Sequence, residues 1–465
     1  MSTLEPTIIP NAYVVSGEMA QEEAQRPEQN TTTPAAVVRA IPDHRIIWWR
    51  RKSCWIPSIL SLCIIAIVLG VTLSLTQYSA PPLASQTSSP ATTQPPSSTP
   101  SPTPMTDFQR VRNAVRETFG EQSVSQIEIN GRQTPQFRAA EWIVEIDTLL
   151  DSNNLLDTVA STIRFQQRYA LAVFAYSLDV VQWRDSSGWL NGSAHECTWS
   201  GIACDDSENP GFIKSIKFTE NFLRGTIPSE VGGLRFLSQF WIVDSGGVTG
   251  TIPSELAAIE PLRRLRLRNL NLNGTIPVEF NGKYNLEFLY LDRNKLTGTI
   301  PSQVGNLPVL DFLYLYDNQL RGTLPSSLIY STSLRQLSVR NNILTGSFPD
   351  TDPSQSGVMG QMERLTLSQN HFEGKLPENL ILLHNETLFS LLLNDNHFTG
   401  TIPTSWGIAL PNLRAVSFAK NLLTGTVPPG FCRLRPNGTV QQGQLEQLDA
   451  DCIANVTCDC CSACF

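Results

Sequence analysis

The chain has 465 residues, which is too long for one compact domain, so several segments are expected. Apolar residues make up 41% and charged residues 16%, a balance that excludes a mostly disordered chain. The formal net charge of −8 excludes a general nucleic-acid-binding function, because such proteins present basic surfaces to phosphate.

Residues 1–54 precede a long apolar run and show no strong hydrophobic periodicity. We expect them to form a short disordered tail in the cytosol, with no room for a kinase or another catalytic domain.

The apolar run IPSILSLCIIAIVLGVTLSL, residues 56–75, carries no charge. A helix of about 20 residues crosses the hydrocarbon core of a bilayer, so we predict a transmembrane helix over residues 55–78. Four basic residues, Arg45, Arg50, Arg51 and Lys52, closely precede this run, and the next Lys or Arg is Arg110. The positive-inside rule therefore predicts a type II single-pass protein whose C-terminal bulk lies outside the cytosol. The membrane would be the plasma membrane or another membrane of the secretory pathway.

Two alternatives fit this segment less well. A soluble core helix would show a polar face, and a cleaved signal peptide would start earlier and have a shorter apolar core. N-glycosylation sequons on the translocated side agree with the predicted orientation. They begin at Asn191, Asn273, Asn385, Asn437 and Asn455.

Residues 79–105 contain eight prolines among many Ser and Thr residues, and this composition predicts an extended, semi-rigid stalk. Residues 106–211 are predicted to form a helical N-terminal cap region. Thr134 and Pro135 are typical of a helix start, with a helix running to Leu150, and a second helix is expected over 162–183. Cys197 and Cys204 are close enough in sequence to form a disulfide. A metal site that includes His195 is the alternative, but it offers a poor ligand set.

A nine-fold repeat over residues 212–430 is the strongest signal in the sequence. Each copy contains a glycine followed three residues later by a proline, and successive glycines are 24 to 28 residues apart. The pattern L-x-x-L-x-L-x-x-N-x-L precedes each glycine, most clearly in LEFLYLDRNKLTGTIP. The alternating leucines predict a short strand with an apolar inner side, and stacking of repeats predicts a parallel sheet on a concave face. The asparagine, such as Asn294, is expected to turn inward and satisfy backbone groups at the bend.

The spacing and the G-x-I-P signature resemble the plant-type leucine-rich repeats of receptor-like kinase ectodomains and polygalacturonase-inhibiting proteins. Trp189 and the run from Cys197 to Cys204 match the N-terminal cap motif of that class. The order of anchor, stalk, cap and repeats is similar to single-pass diatom leucine-rich-repeat proteins. The resemblance implies an α/β solenoid, a leucine-rich-repeat horseshoe with one preceding transmembrane helix. Ser245 or Gly246 and Leu270 replace the asparagine in repeats two and three, so an interrupted asparagine ladder is expected.

Residues 431–465 form a cysteine-rich C-terminal cap. Disulfides are favoured over a zinc knuckle because the cluster has no histidine and is predicted to lie in an oxidising compartment. Six cysteines allow fifteen pairings, and the sequence does not select one. They are Cys432, Cys452, Cys458, Cys460, Cys461 and Cys464.

Side chains that alternate with the inward leucines are expected to face solvent on the concave sheet. Over repeats two to five they form a patch of residue types that dominate binding interfaces. The alternative is a self-satisfied surface in which Arg268 pairs with Asp292 and arginines stack on tyrosines. The predicted ligand-binding residues are Trp241, Arg266, Arg268, Tyr290, Tyr314 and Tyr316.

No catalytic, phosphate-binding or dinucleotide-binding motif occurs in the sequence, so no enzyme activity and no cofactor or resident metal is predicted. His371 and His397 are expected at a repeat edge, too far apart to pair. The predicted function is recognition of an extracellular protein, peptide or glycan ligand, as a receptor or co-receptor that signals through a partner. Cell-surface adhesion and inhibition of wall-degrading hydrolases are the alternatives. The only other partner expected is the lipid bilayer, with no nucleic acid.

Overall fold

A computed structural model describes residues 105–128, 134–152, 154–205, 211–281, 285–349, 361–378, 387–435, 445–452 and 456–465. All of them belong to one compact unit, Thr99–Phe465. The predicted cytosolic tail, membrane helix and almost all of the stalk lie outside the described residues. Among the described residues, no helix combines the length and apolar character needed to cross a bilayer.

Three helices form the N-terminal cap: α1 (Asp107–Glu128), α2 (Pro135–Glu145) and α3 (Val159–Ser177). The predicted start at Thr134 is confirmed, because its hydroxyl accepts a hydrogen bond from the Phe137 N–H. Helix α2 ends five residues before the predicted Leu150. Helix α3 begins with a capping box, in which Thr158 is the N-cap and Ser161 is the third helical residue. Sequence analysis did not predict α1, which bends where Gly120 has a non-helical φ of 82°.

Helix α3 is buried over most of its length and anchors the cap to the repeats. Its Arg168 is fully buried and forms ion pairs with Asp147 and Glu196. Rings from the cap and the first repeat pack around Phe174, with centroid distances of about 6 Å to Trp189 and Phe218. The predicted disulfide between Cys197 and Cys204 is present, which leaves no thiolate there for a metal.

The strands are numbered β1 to β21 in chain order, and twelve of them form one long sheet. Only the first pair, β1 and β2, is antiparallel, and each of the following neighbours is parallel. This arrangement confirms the predicted stack of parallel strands. In sheet order the strands are β1 (Ile202–Cys204), β2 (Ile213–Thr219), β4 (Gln239–Val243), β6 (Arg264–Arg268), β7 (Phe288–Tyr290), β8 (Phe312–Tyr314), β10 (Gln336–Ser338), β12 (Arg364–Thr366), β14 (Ser390–Leu392), β16 (Ala415–Ser417), β19 (Gln447–Ala450) and β21 (Ala463–Cys464).

The glycine segment of the repeat forms further short parallel strands, which sequence analysis did not predict. They pair as β3 with β5, as β18 with β20, and in the order β17-β15-β13-β11-β9. All nine repeat glycines have a positive φ, between 76° and 123°. The strands are β3 (Arg224–Thr226), β5 (Gly247–Thr249), β9 (Arg321–Gly322), β11 (Ile343–Ser347), β13 (His371–Lys375), β15 (His397–Gly400), β17 (Leu422–Leu423), β18 (Gly425–Thr426) and β20 (Val456–Thr457).

A short helical turn follows the repeat proline, which fixes φ and lacks the N–H that a helix start leaves unpaired. In the seven repeats whose turn is described, it forms the side of the repeat that follows the glycine segment. They are Ser229–Gly233, Ser254–Ala258, Val278–Phe280, Ser302–Asn306, α4 (Ser326–Ile329), α5 (Trp406–Ala409) and α6 (Pro429–Arg433). Two more single turns lie in the cap, Val180–Gln182 and Glu196–Thr198.

The asparagine ladder has the predicted form. Asn294 donates from its amide to the carbonyls of Leu267 and Leu291, at 2.7 and 3.0 Å, and accepts from the Leu272 N–H. The same pattern continues in each later repeat. The predicted interruption is confirmed as well, because Ser245 and Leu270 are buried at the equivalent positions. The ladder asparagines of the later repeats are Asn318, Asn342, Asn370, Asn396 and Asn421.

The C-terminal cap extends the long sheet with β19 and β21 and contains three disulfides. The Sγ atoms of Cys452, Cys458 and Cys461 lie within 4.8 Å of one another. Each belongs to a disulfide, so none is available as a thiolate ligand for the alternative zinc site. The pairs are Cys432 with Cys460, Cys452 with Cys464, and Cys458 with Cys461.

Candidate ligand-binding surface

The outward side of the long sheet, here called the sheet face, presents side chains in columns that run across the strands. The predicted middle column is in register, because Trp241 pairs with Arg266, Arg266 with Tyr290 and Tyr290 with Tyr314. Neighbouring strands are about 4.8 Å apart, so successive members of a column touch. The structure therefore brings the predicted residues of repeats two to five together in one strip.

In the middle column the rings and cations contact one another directly. The Arg266 guanidinium lies 5.7 Å from the Trp241 ring centroid and 5.4 Å from that of Tyr290. Tyr290 stacks on Tyr314 with centroids 4.5 Å apart and planes inclined by 15°. The Tyr314 hydroxyl donates to Gln336, so the strip ends in a polar contact. Cation–π and stacking contacts of this kind fix the side chains in place.

A second column, two residues earlier on each strand, was missed by the sequence analysis. Phe288 stacks on Phe312 with centroids 4.9 Å apart and planes inclined by 8°. Arg264 lies 4.9 Å from the Phe288 ring centroid, and Arg335 lies 5.5 Å from that of Phe312. The second column could have been predicted from the period-two alternation of a strand, because residues 288 and 290 lie on the same face of the sheet. The two columns together form an aromatic block flanked by guanidinium groups.

The third column contains a buried carboxylate. Arg268 Nε lies 3.0 Å from Asp292 Oδ2, and the side chain of Asp292 is 1% exposed. Burial raises the pKa of Asp292 to about 6, against the opposing effect of Arg268 and the Tyr316 hydrogen bond. Burial and the nearby Asp292 also raise the pKa of Tyr316 well above its usual value.

The prediction that all six residues face solvent is wrong for the tyrosines. Tyr290 is 3% exposed, Tyr314 is 9% exposed and Tyr316 is 6% exposed. Each ring is covered by rings and cations of the next strands, so the self-satisfied contacts expected as the alternative are present. Trp241, Arg266 and Arg268 remain partly exposed. The accessible part of the predicted patch is therefore a Trp and Arg edge supported by buried tyrosines.

The sheet face carries an excess of cations although the whole chain has a net charge of −8. The two acidic groups in its columns, Asp292 and Asp449, are both buried. An anionic group that approached this surface would meet partly exposed basic side chains. These are Lys217, Arg264, Arg266, Arg268, Arg340 and Arg364.

The histidine prediction needs a correction. His371 and His397 lie on the neighbouring strands β13 and β15, and their rings stack with centroids 5.5 Å apart. The two residues are 26 residues apart, which is the length of one repeat, so they occupy equivalent positions in adjacent repeats. Both side chains are exposed on the glycine side of the repeats, away from the sheet face.

Two sequence comparisons agree with the repeat geometry. The Leucine Rich Repeat family matches residues 285–307. Polygalacturonase inhibitor 1 of Oryza sativa subsp. japonica is 34% identical over 88 residues, which is 18% of this chain and 25% of that protein. The chain thus spans about a quarter of the rice protein.

Solved structures with similar folds include plant repeat proteins. The ectodomain of the receptor kinase GASSHO1/SCHENGEN3 from Arabidopsis thaliana, solved with CASPARIAN STRIP INTEGRITY FACTOR 2, is 29% identical with a TM-score of 0.46, over 57% of this chain and 33% of that one. A plant ice-binding protein is 25% identical with a TM-score of 0.44, over 60% of this chain and 94% of that one.

The parallel sheet, the asparagine ladder and the glycine-proline turns define a leucine-rich-repeat solenoid. In its repeat length, in its G-x-I-P signature and in the segment matched to the rice inhibitor, the chain is similar to plant-type leucine-rich-repeat proteins.

Proposed function

We propose that this protein recognises an extracellular protein or peptide on its sheet face, in a receptor-like role. The observation that carries the proposal is the aromatic block on neighbouring strands, edged by the partly exposed Trp241, Arg266 and Arg268. Trp and Arg contribute most of the binding energy in protein interfaces. Side chains already held by stacking lose little conformational entropy when a ligand binds.

Charge favours a ligand with carboxylate or similar anionic groups. The exposed charge in the columns of repeats one to five is positive, since the Asp292 carboxylate is buried against Arg268. An arginine fork also pairs with a carboxylate through two parallel hydrogen bonds.

Binding of a peptide array by the purified full-length chain tests this proposal. We expect saturable binding to peptides that carry acidic residues, weakened about tenfold or more by Arg266→Ala or Trp241→Ala and weakened by added salt. Thr366→Ala is the matched control, because Thr366 lies in the same column in repeat seven and outside the aromatic block. Equal binding by wild type and both block variants would contradict the proposal.

Inhibition of a wall-degrading hydrolase is the second candidate, because the matched rice protein is named as a polygalacturonase inhibitor. The same variants distinguish the two roles when a polygalacturonase is added to the assay. Inhibition that Arg266→Ala abolishes, with no peptide binding, supports the inhibitor. Binding of neutral polysaccharide that the block variants leave unchanged supports adhesion instead.

In this proposed role the repeats lie outside the cytosol, and the predicted helix at residues 55–78 anchors them to the membrane. A single-pass anchor with a short tail would need a membrane partner to transmit a signal. Four disulfides among the described residues support an oxidising compartment.

A further inference from the structure

A cleft of about 590 Å³ lies where the helical cap covers the first two repeats, away from the sheet face. This volume falls within the usual range of small-molecule sites. Helix α1 and helix α3 form one wall, and the helical turns after the first two repeat prolines form the other. The aromatic, charged and buried amide side chains of its lining include Phe119, Gln166, Glu230, Arg235, Glu255 and Glu260.

Glu230 in this cleft is a buried carboxylate without a cationic partner. It is 2% exposed, and none of the ion pairs among the described residues includes it. Its Oε1 accepts from the Ser123 hydroxyl at 2.8 Å and from Gln136 Nε2 at 3.2 Å. Within the described part of the chain, its Oε2 accepts only from the Ser229 hydroxyl, at 3.4 Å. A buried charge is costly unless it is paired, so Oε2 is an unused site for a strong donor.

Gln166 supplies a second acceptor in the same cleft. It is 2% exposed, it lines the cleft, and its Oε1 has no hydrogen-bond partner among the described residues. Its neighbour Gln167, by contrast, is fully engaged by Glu196 and the Ile213 N–H. An unsatisfied buried carbonyl is destabilising, and a ligand N–H would satisfy it.

The remaining lining favours an organic cation over a metal ion. Glu255 and Glu260 add negative charge at the exposed rim, opposed by Arg235 alone. Among the described residues, the only three His, Cys, Asp or Glu ligand atoms that converge within 4.8 Å belong to cysteines of the C-terminal cap. The Phe119 ring supplies an aromatic wall that suits an ammonium or guanidinium group.

We propose that this cleft binds a small organic cation with N–H donors, an alkylammonium or a guanidinium compound. The cationic head sits between Glu230 Oε2 and Gln166 Oε1, and the apolar part lies along Phe119. Ligand binding here is independent of the sheet face and of the role proposed for it.

The repeat provides a matched control for Glu230. Glu230 is the second residue after Pro228, and Glu279 occupies the same place after Pro277. Glu279 is exposed because no cap helix covers repeat three, and it does not line the cleft. Glu230→Gln and Glu279→Gln therefore remove the same charge at the same repeat position, inside and outside the site.

Calorimetric titration of the full-length chain with putrescine and with agmatine tests the proposal. We expect one saturable site, weakened at least tenfold by Glu230→Gln and by Gln166→Leu, and unchanged by Glu279→Gln. Thermal unfolding of each variant verifies folding. Should Glu230→Gln not fold, Ala258→Trp at the exposed rim fills the cleft instead and is expected to abolish binding.

Three results overturn the proposal. One is the absence of saturable heat with either amine, and another is equal affinity for wild type and folded Glu230→Gln. The third is a preference for the diol analogue of putrescine or for calcium ions over both amines, since the site would then not select an organic cation.

Discussion

At the scale of single residues, the repeat glycine is restricted twice, by its backbone angle and by the neighbouring repeat. Gly298 has a φ of 78°, and a Cβ placed there would lie 2.7 Å from Thr275 Cγ2. Gly374 has nearly the same φ, but the nearest atom to its Cβ, Ser347 Cβ, is 3.3 Å away. A left-handed backbone costs an ordinary residue about 1–2 kcal/mol. Both sites carry that cost, and the closer contact at Gly298 adds a larger steric cost than the contact at Gly374.

We therefore expect Gly298→Ala to lower the free energy of unfolding more than Gly374→Ala, by about 1 kcal/mol or more. Urea denaturation of the two variants measures the difference. Adding Thr275→Ser removes the clashing methyl group and should bring Gly298→Ala close to Gly374→Ala. Equal destabilisation of the two single variants would show that the neighbouring threonine exerts no steric restriction.

The ladder asparagine is a second residue whose role can be measured. Asn318 donates to the carbonyls of Leu291 and Leu315 and accepts from the Leu296 N–H, all at 3.0–3.1 Å. Asn318→Ala would leave these buried groups unpaired, so we expect about 3 kcal/mol of destabilisation in urea denaturation. The exposed neighbour Gln319→Ala should change stability by less than about 0.5 kcal/mol. Similar effects for the two variants would contradict a structural role of the ladder.

Asp292 makes stability depend on pH. Its pKa is about 6 in the folded protein and about 4 in an unfolded chain, so the folded state favours the protonated form. The resulting stabilisation is complete below pH 4 and is lost as pH rises through 6, amounting to at most about 3 kcal/mol. Thermal unfolding from pH 4 to 7 should show this decline, and Asp292→Asn should flatten it. A decline of the same size in Asp292→Asn would assign it to other groups.

At the scale of elements, the C-terminal cap contains disulfides that close loops of different length. Cys432 and Cys460 are 28 residues apart, whereas Cys458 and Cys461 are only 3 apart. A longer loop restricts the unfolded chain more, which predicts about 4 kcal/mol for the first pair and about 2 kcal/mol for the second. Double Cys→Ser variants of each pair, compared by urea denaturation under oxidising conditions, should follow that order. The reverse order would contradict this entropic account.

The repeated elements of the fold could be predicted from the sequence because the same local sequence pattern occurs in nine copies. The strand leucines, the glycine turn and the asparagine ladder all follow from period-two alternation and backbone geometry. Even the interruption at Leu270 was predictable, because the pattern itself identifies the missing amide. The register of Trp241, Arg266 and Tyr290 followed in turn, since equal repeat positions in parallel strands must align.

The elements that were missed depend on contacts between segments distant in sequence or on non-repeated sequence. Helix α1 has weak amphipathicity and a glycine in its middle, so its local pattern does not mark it. Burial of Tyr290 and Tyr314 depends on the rings that flank them on neighbouring strands. Alternation gives the face on which a side chain lies, but not how deeply its neighbours cover it. Glu230 also depends on its surroundings, because the equivalent residues Glu255 and Glu279 of the next two repeats are exposed, whereas the cap helices cover Glu230.

At the scale of the whole molecule, the solenoid separates its candidate sites. The sheet face gathers positive charge and aromatic rings over repeats two to five. The cap cleft gathers carboxylates on the helical side of repeats one and two. Because the sites use different layers of the same repeats, charge changes in one need not disturb the other, and their ligands can be studied separately.

Topology is the whole-molecule property that the receptor-like role requires. Among the described sequons, Asn191 and Asn273 are exposed and accessible to glycosylation in the secretory pathway. We expect a glycosidase to shift the mobility of the expressed protein, and Asn191→Gln with Asn273→Gln to reduce that shift. Asn30 also begins an N-x-T sequon, but it lies in the predicted cytosolic tail, where it would stay unmodified. Asn30→Gln is therefore the control and should leave the shift unchanged.

The orientation itself rests on the basic residues before the apolar run. Replacing Arg50, Arg51 and Lys52 with glutamate removes the three basic residues nearest the apolar run, which are half of the Lys and Arg residues in the predicted cytosolic tail. Because this charge keeps the N-terminal flank inside, the variant should lose part of its glycosylation and of its protease-protected repeats in microsomes. A wild-type chain with bare sequons and repeats open to protease outside the microsomes would instead place the sheet face in the cytosol. An extracellular ligand could not reach it there.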